Sequence, residues 1–130
     1  MPRPSSKNPT ELELEILKLL WHESPLSVSE VRKRLKPFRA LAHTSVMTMM
    51  GIMTDKGYLT RIKKGRGYLY SASISSEQTT SSIMNDVVER VFSGSASAAM
   101  VNLLETGDID QEQLDELHEL ITKQMRKGGN

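Results

Sequence analysis

Thr44-Ser-Val-Met-Thr-Met-Met-Gly-Ile-Met-Thr-Asp-Lys-Gly57, followed by Tyr58-Leu-Thr-Arg-Ile-Lys-Lys-Gly-Arg-Gly-Tyr-Leu-Tyr70, reads as a helix running into a basic hairpin. Val46, Met49, Met50 and Met53 recur at helical spacing, and Gly57 stands where a left-handed residue would end the helix. From Tyr58 apolar and polar residues alternate, Lys64-Gly65-Arg66-Gly67 forms a turn, and the alternation resumes through Tyr70. A helix of this length with Arg61, Lys63, Lys64 and Arg66 near the tip of the next hairpin has the composition of a winged helix. In that arrangement the helix enters a major groove and the wing's cations lie along phosphates.

The rest of the chain is consistent with that reading. At 130 residues it has room for one ordinary domain and an appendage. It has no apolar run of membrane-spanning length, and Met1-Pro-Arg-Pro-Ser-Ser-Lys7 lacks the apolar centre of a signal peptide. Zero cysteines exclude disulfides and thiolate metal sites and fit a reducing compartment. A cytoplasmic protein is expected. The net charge of +1 hides a division: residues 1–75 hold 13 Lys/Arg against 6 Asp/Glu, residues 76–130 hold 4 against 10. A front of net +7 and a rear of net −6 imply that the front meets a polyanion and the rear does something else.

Working outward, residues 1–9 are a Pro/Ser/Lys tail expected to be disordered. Thr10 with Glu13 is a capping box opening a helix to about His22, whose Leu12, Ile16, Leu19 and Leu20 form a stripe widened by Leu14, Leu17 and Trp21. Ser24-Pro25 is a turn, and Ser27 with Glu30 caps a short helix ending before Pro37. Val28, Val31 and Leu35 face inward there, with Arg32, Lys33, Arg34 and Lys36 outside. Phe38 to His43 is a connection with a short strand expected at Leu41-Ala42, before the helix that starts at Ala42 or His43.

Beyond the wing, a helix capped by Ser76 or Thr79 is expected to carry Ile83, Val87, Val88, Val91 and Phe92 and to stop at Gly94. A second follows from Ala96 to Glu105, capped by Ser95, and a third after Asp110 and Gln113 with Leu114, Leu117, Leu120, Ile121 and Met125 on one face. Helices so one-sided cannot form a self-contained core, and self-association across a two-fold axis is the expected solution. Fold-back onto the first domain is the alternative. Val87, Val91, Met100, Leu103, Leu114, Leu117, Leu120 and Ile121 are the expected dimer contacts. The expected fold class is mainly α with a small β-wing: a tail at 1–9, a winged helix-turn-helix DNA-binding domain at 10–74 and a helical dimerisation region at 75–127.

Three stretches carry a family resemblance: Thr10-Glu-Leu-Glu-Leu-Glu-Ile-Leu-Lys-Leu-Leu-Trp21, His43-Thr-Ser-Val-Met-Thr-Met-Met50, and Asp55-Lys-Gly-Tyr-Leu59 with the wing through Tyr70. In this order, with an acidic helical tail, they resemble the penicillinase-repressor group of bacterial transcription regulators, the BlaI/MecI/CopY family. The resemblance runs from Pro9 to Met125. It implies a homodimer that binds a palindromic operator, represses nearby genes and dimerises through its C-terminal helices. It also implies relief of repression by a sensor-linked protease acting in the dimerisation region, at the bond matching Asn102-Leu103. Leu103 replaces the family's Phe, and an apolar pair on an amphipathic helix also reads as dimer core. The copper-responsive branch carries a cysteine motif that this chain lacks.

The residues expected to touch DNA are Thr44, Ser45, Met47 and Thr48 on the third helix, with Arg39, Arg61, Lys63, Lys64 and Arg66 on the backbone. The family has longer polar or basic side chains where Thr44 and Met47 stand, so operator readout here leans toward hydroxyl and methyl contacts. Thr44 and Ser45 also admit a plain capping role. The methionines read as core filler rather than a soft-metal site, and His22, His43 and His118 stand at no ligand spacing, so no metal or cofactor is expected. No nucleophile triad, P-loop or dinucleotide fingerprint is present, so an enzyme is not expected. A winged helix used only for protein contact is the rival reading.

Overall fold

The first helix exists because Thr10 and Glu13 satisfy each other's backbone: the Glu13 N–H donates to Thr10 Oγ1 at 3.2 Å and the Thr10 N–H to Glu13 Oε1 at 2.9 Å. This computed structural model describes residues 8–128, so most of the expected N-terminal tail lies outside the described residues. Helix α1 spans Glu11–His22 and buries Ile16, Leu17 and Leu20. The same capping pattern at Ser27 and Glu30 opens α2, Val28–Leu35, which buries Val31 and Leu35. Helix α3 spans His43–Asp55 and buries Val46, Met50 and Met53. Gly57 follows with φ +84°, the left-handed stop expected of it.

Strands β1, Leu59–Lys64, and β2, Gly67–Ala72, pair antiparallel with Lys64 opposite Gly67. The two-residue loop Gly65-Arg66 has positive φ only at Gly65, +62°, the pattern of a turn that requires glycine first. Leu26 adds a third extended position: its N–H donates to Tyr70 O and it accepts from the Tyr70 N–H, at 3.0 and 2.8 Å. That correction matters, because the short strand expected at Leu41-Ala42 is absent and Leu26 takes its place beside the wing. The physical reason is that Tyr70 is buried at the base of the hairpin and its backbone polar groups need a partner there.

One core holds these elements together: Ile16, Leu17, Leu20, Leu26, Val31, Leu35, Val46, Met50, Met53, Leu59 and Tyr70. Among them sits Glu13, 1% exposed, whose Oε2 accepts from Lys56 Nζ at 2.8 Å. Burial alone would raise its pKa, but the Lys56 ammonium and the Thr10 N–H outweigh that and hold the carboxyl below the usual range. Trp21 Nε1 donates to Ile74 O at 2.9 Å, fastening the exit of the wing to α1.

The chain divides into two compact units, one ending at Asn85 and the other starting at Asp86. The division falls inside α4, Ser76–Val91, whereas the sequence reading places it before that helix. Thr79 is buried and Ser82 Oγ donates to Asn8 Oδ1 at 2.6 Å, which ties the first half of α4 to the first unit. Ser75, not Ser76 or Thr79, caps the helix, accepting from the Gln78 N–H at 3.1 Å. In the second unit the Gly94 N–H donates to Val88 O and closes α4. Ser95 caps α5, Ala96–Thr106, and Asp110 with Gln113 forms the box opening α6, Gln111–Gly128. Ala99 is the buried apolar residue of α5, and α6 buries none.

Lys56→Met leaves the Glu13 carboxylate buried without its cation and is expected to cost about 1–3 kcal/mol in urea unfolding. Because the folded-state pKa of Glu13 is depressed, its stabilisation is full above the ordinary value of about 4.3 and is lost as pH falls through the folded value. The stability gap between wild type and Glu13→Gln should therefore be widest near neutrality and close in acid. A gap that ignores pH would show that the charge is not what holds the pair.

Candidate nucleic-acid interface

Helical spacing of about 100° per residue puts Thr44, Thr48, Gly51 and Asp55 along one line of α3, with Met47 on one shoulder and Ser45 and Ile52 on the other. The buried Val46, Met50 and Met53 occupy the opposite side. All four predicted α3 residues, Thr44, Ser45, Met47 and Thr48, are exposed, and Met47 is 46% so. Met49 packs partly against the core, so Met49, Met50 and Met53 are packing residues and Met47 is not.

Neither Thr44 nor Ser45 caps the helix. The N-cap is Ala42, which offers no side-chain hydrogen bond, so the hydroxyls of Thr44, Ser45 and Thr48 are unspent among the described residues. The other five helices each have a side-chain cap, from Thr10, Ser27, Ser75, Ser95 and Asp110. Among the described helices α3 is the one without a side-chain cap, so none of its first-turn N–H groups is taken by a side chain, an end that favours a phosphate oxygen. Sequence reasoning missed this, although the signal was there in an alanine at a position where Ser, Thr, Asp or Asn is the rule.

The wing's cations are divided by strand alternation. Arg61 and Lys63 share the face of Leu59, whereas Lys64 lies on the other face with Ile62, and Arg66 stands in the loop. The Arg61 guanidinium lies 4.2 Å from the centre of the Tyr68 ring, which orients its plane. Tyr70, across the strand pair, raises its already high pKa, so the charge is permanent. Lys64 reaches toward the start of α2. The Glu30 carboxyl there is held below its usual range by the Ser27 N–H and hydroxyl first, then by Arg34 and Lys64. Arg39 is exposed in the connection before α3.

A shallow groove of about 330 Å³ runs beside that connection, lined by Ser29, Arg32, Lys33, Lys36, Ala40 and Leu41. Arg32 Nε donates to Leu41 O at 2.8 Å, so one of these cations also braces the approach to α3. Arg34 is spent on Glu23 and Glu30, but Arg39, Lys63, Lys64 and Arg66 have no ion pair among the described residues. Exposed, unpaired cations cost nothing extra to bring against phosphate oxygens. No group of His, Asp and Glu among the described residues is placed to hold a metal ion.

The eight residues expected at a dimer contact lie in α4, α5 and α6. Val87 is half-buried, and Val91, Met100, Leu103, Leu114, Leu117, Leu120 and Ile121 are exposed. Asn102 and Leu103 lie inside α5, where Thr106 Oγ1 donates to Asn102 O at 2.7 Å.

Comparison with known proteins places this geometry in a family. A family model described as penicillinase repressor matches residues 9–123. The chain is 25% identical over 112 residues to the penicillinase repressor of Bacillus licheniformis, covering 86% of this chain and 88% of that one. It is 28% identical over 103 residues to the transcriptional regulator BlaI of Mycobacterium tuberculosis, covering 78% and 75%. Among solved structures, that of the DNA-binding domain of the repressor BlaI aligns over 52% of this chain and 83% of that chain, at 29% identity and a TM-score of 0.48. With a match running from the residue before the first cap into the last helix, the chain belongs to the penicillinase repressor family of transcriptional regulators.

Proposed function

We propose that this protein is a cytoplasmic repressor that binds a palindromic operator as a homodimer, with α3 in the major groove and the wing along the phosphate backbone. One observation carries the reading. The outward face of α3 combines three unspent hydroxyls with an N-terminus that has no side-chain cap, and family membership supports a duplex as what that face meets. Thr44, Ser45 and Thr48 donate to or accept from base edges and phosphates, and Met47 meets apolar groups such as a thymine methyl. Arg39, Lys63, Lys64 and Arg66, with Arg61 on its tyrosine, neutralise phosphates and supply most of the sequence-independent affinity.

The second unit supports self-association. It leaves Val91, Met100, Leu103, Leu104, Leu114, Leu117, Leu120, Ile121 and Met125 exposed, large apolar side chains that association with a second copy would cover. Burying each leucine is worth about 1.5–3 kcal/mol, so a handful is enough to hold two chains together. A two-fold dimer then sets two α3 helices on half-sites about one helical turn apart.

Three outcomes are expected. Replacing Lys63, Lys64 and Arg66 by Gln lowers duplex affinity about equally across sequences and flattens its dependence on salt by about one unit of slope per lost phosphate contact. A salt-independent affinity in the wild type would favour the protein-contact module instead. Leu117→Asp with Ile121→Asp converts the sedimenting species from two chains to one and removes tight binding to a two-half-site duplex while single half-site binding persists. Finally, release by proteolysis needs α5 to open, because the Asn102–Leu103 bond is helical and a protease takes an extended segment. Mass mapping after derepression should show a fragment ending at Asn102, and an intact chain would remove that route.

A further inference from the structure

Gly51 lies inside α3, away from both of its ends, and nothing in the fold asks for a glycine there. Gly57 and Gly65 have positive φ and so have a conformational reason, but Gly51 does not. A Cβ built on it meets no heavy atom within 4 Å, so packing does not exclude a side chain either. Glycine in a helix interior is destabilising relative to alanine, and here the fold receives no return for that loss.

The position explains what the fold does not. Gly51 lies in line with Thr44 and Thr48 on the face opposite Val46, Met50 and Met53, between the exposed Met47 and Ile52. Between Thr44 and Ile52 that face holds no Arg, Lys, Asn or Gln, the residues whose forked or long side chains span the gap to a base edge. Short side chains reach the duplex only if the helix backbone comes closer. Asp55, one turn further on the same line, carries a negative charge that sets the far limit of contact with a polyanion.

The geometry points to Gly51 as a close-approach position: its missing side chain lets the α3 backbone settle against the duplex so that Thr44, Thr48, Met47 and Ile52 reach it. This rests on the DNA-binding reading above. The test uses the full chain and a duplex enriched by wild-type protein from a random-sequence library. Gly51→Ala is expected to raise the melting temperature by about 2–4 °C while lowering affinity for that duplex about tenfold, the cost of one lost base-pair match. Gly51→Leu should remain folded and bind more weakly still. Wild-type affinity retained in Gly51→Ala overturns the inference and leaves the DNA reading standing. Affinity and stability falling together would also overturn it, because the glycine would then serve packing. A wild type that enriches no duplex overturns both.

Discussion

The placement of α3 depends on one carboxylate. Glu13 uses its two oxygens for different ends: one completes the cap of α1, and the other accepts the Lys56 ammonium at the C-terminal edge of α3. A charge buried to this degree is tolerated only when both oxygens are satisfied, and removing Lys56 leaves an uncompensated carboxylate in the core. The apolar contacts of Val46, Met50 and Met53 are non-directional and would permit α3 to slide or roll in its seat against α2 and β1. The ion pair across 43 residues of sequence is directional, so it selects one registration of the outward face.

Other contacts carry that registration into the wing. Tyr58, just after the helix, receives the Ser73 N–H on its carbonyl, and Ser73 Oγ donates to Gly57 O. Leu26 holds the far side of the hairpin through Tyr70. The base of the wing is therefore tied on both edges, while its tip holds only charge and a two-residue turn. Such a division presents the cations from a fixed root.

Much of this was legible in the residues because local and long-range signals agree. Capping boxes at Thr10, Ser27 and Asp110, the left-handed stop at Gly57 and the alternation from Leu59 to Tyr70 each depend on neighbours a few positions away, and each element forms where its pattern placed it. What was not legible depends on distance. No local pattern shows that Leu26 pairs with Tyr70, that Glu13 finds Lys56, or that Arg61 settles on Tyr68. The site was half visible. The identities of the α3 residues pointed outward correctly, but the lack of a cap and the idle Gly51 gain meaning only once the fold shows that neither is compensated elsewhere.

The indole of Trp21 has a consequence outside stability. It is the chain's single tryptophan, half-buried, with its N–H engaged by the carbonyl of Ile74 where the wing leads into α4. Its emission colour therefore reports the local wetness of that one junction with no added dye. The molecule carries its own optical gauge of whether the strap leaving the hairpin is fastened or loose.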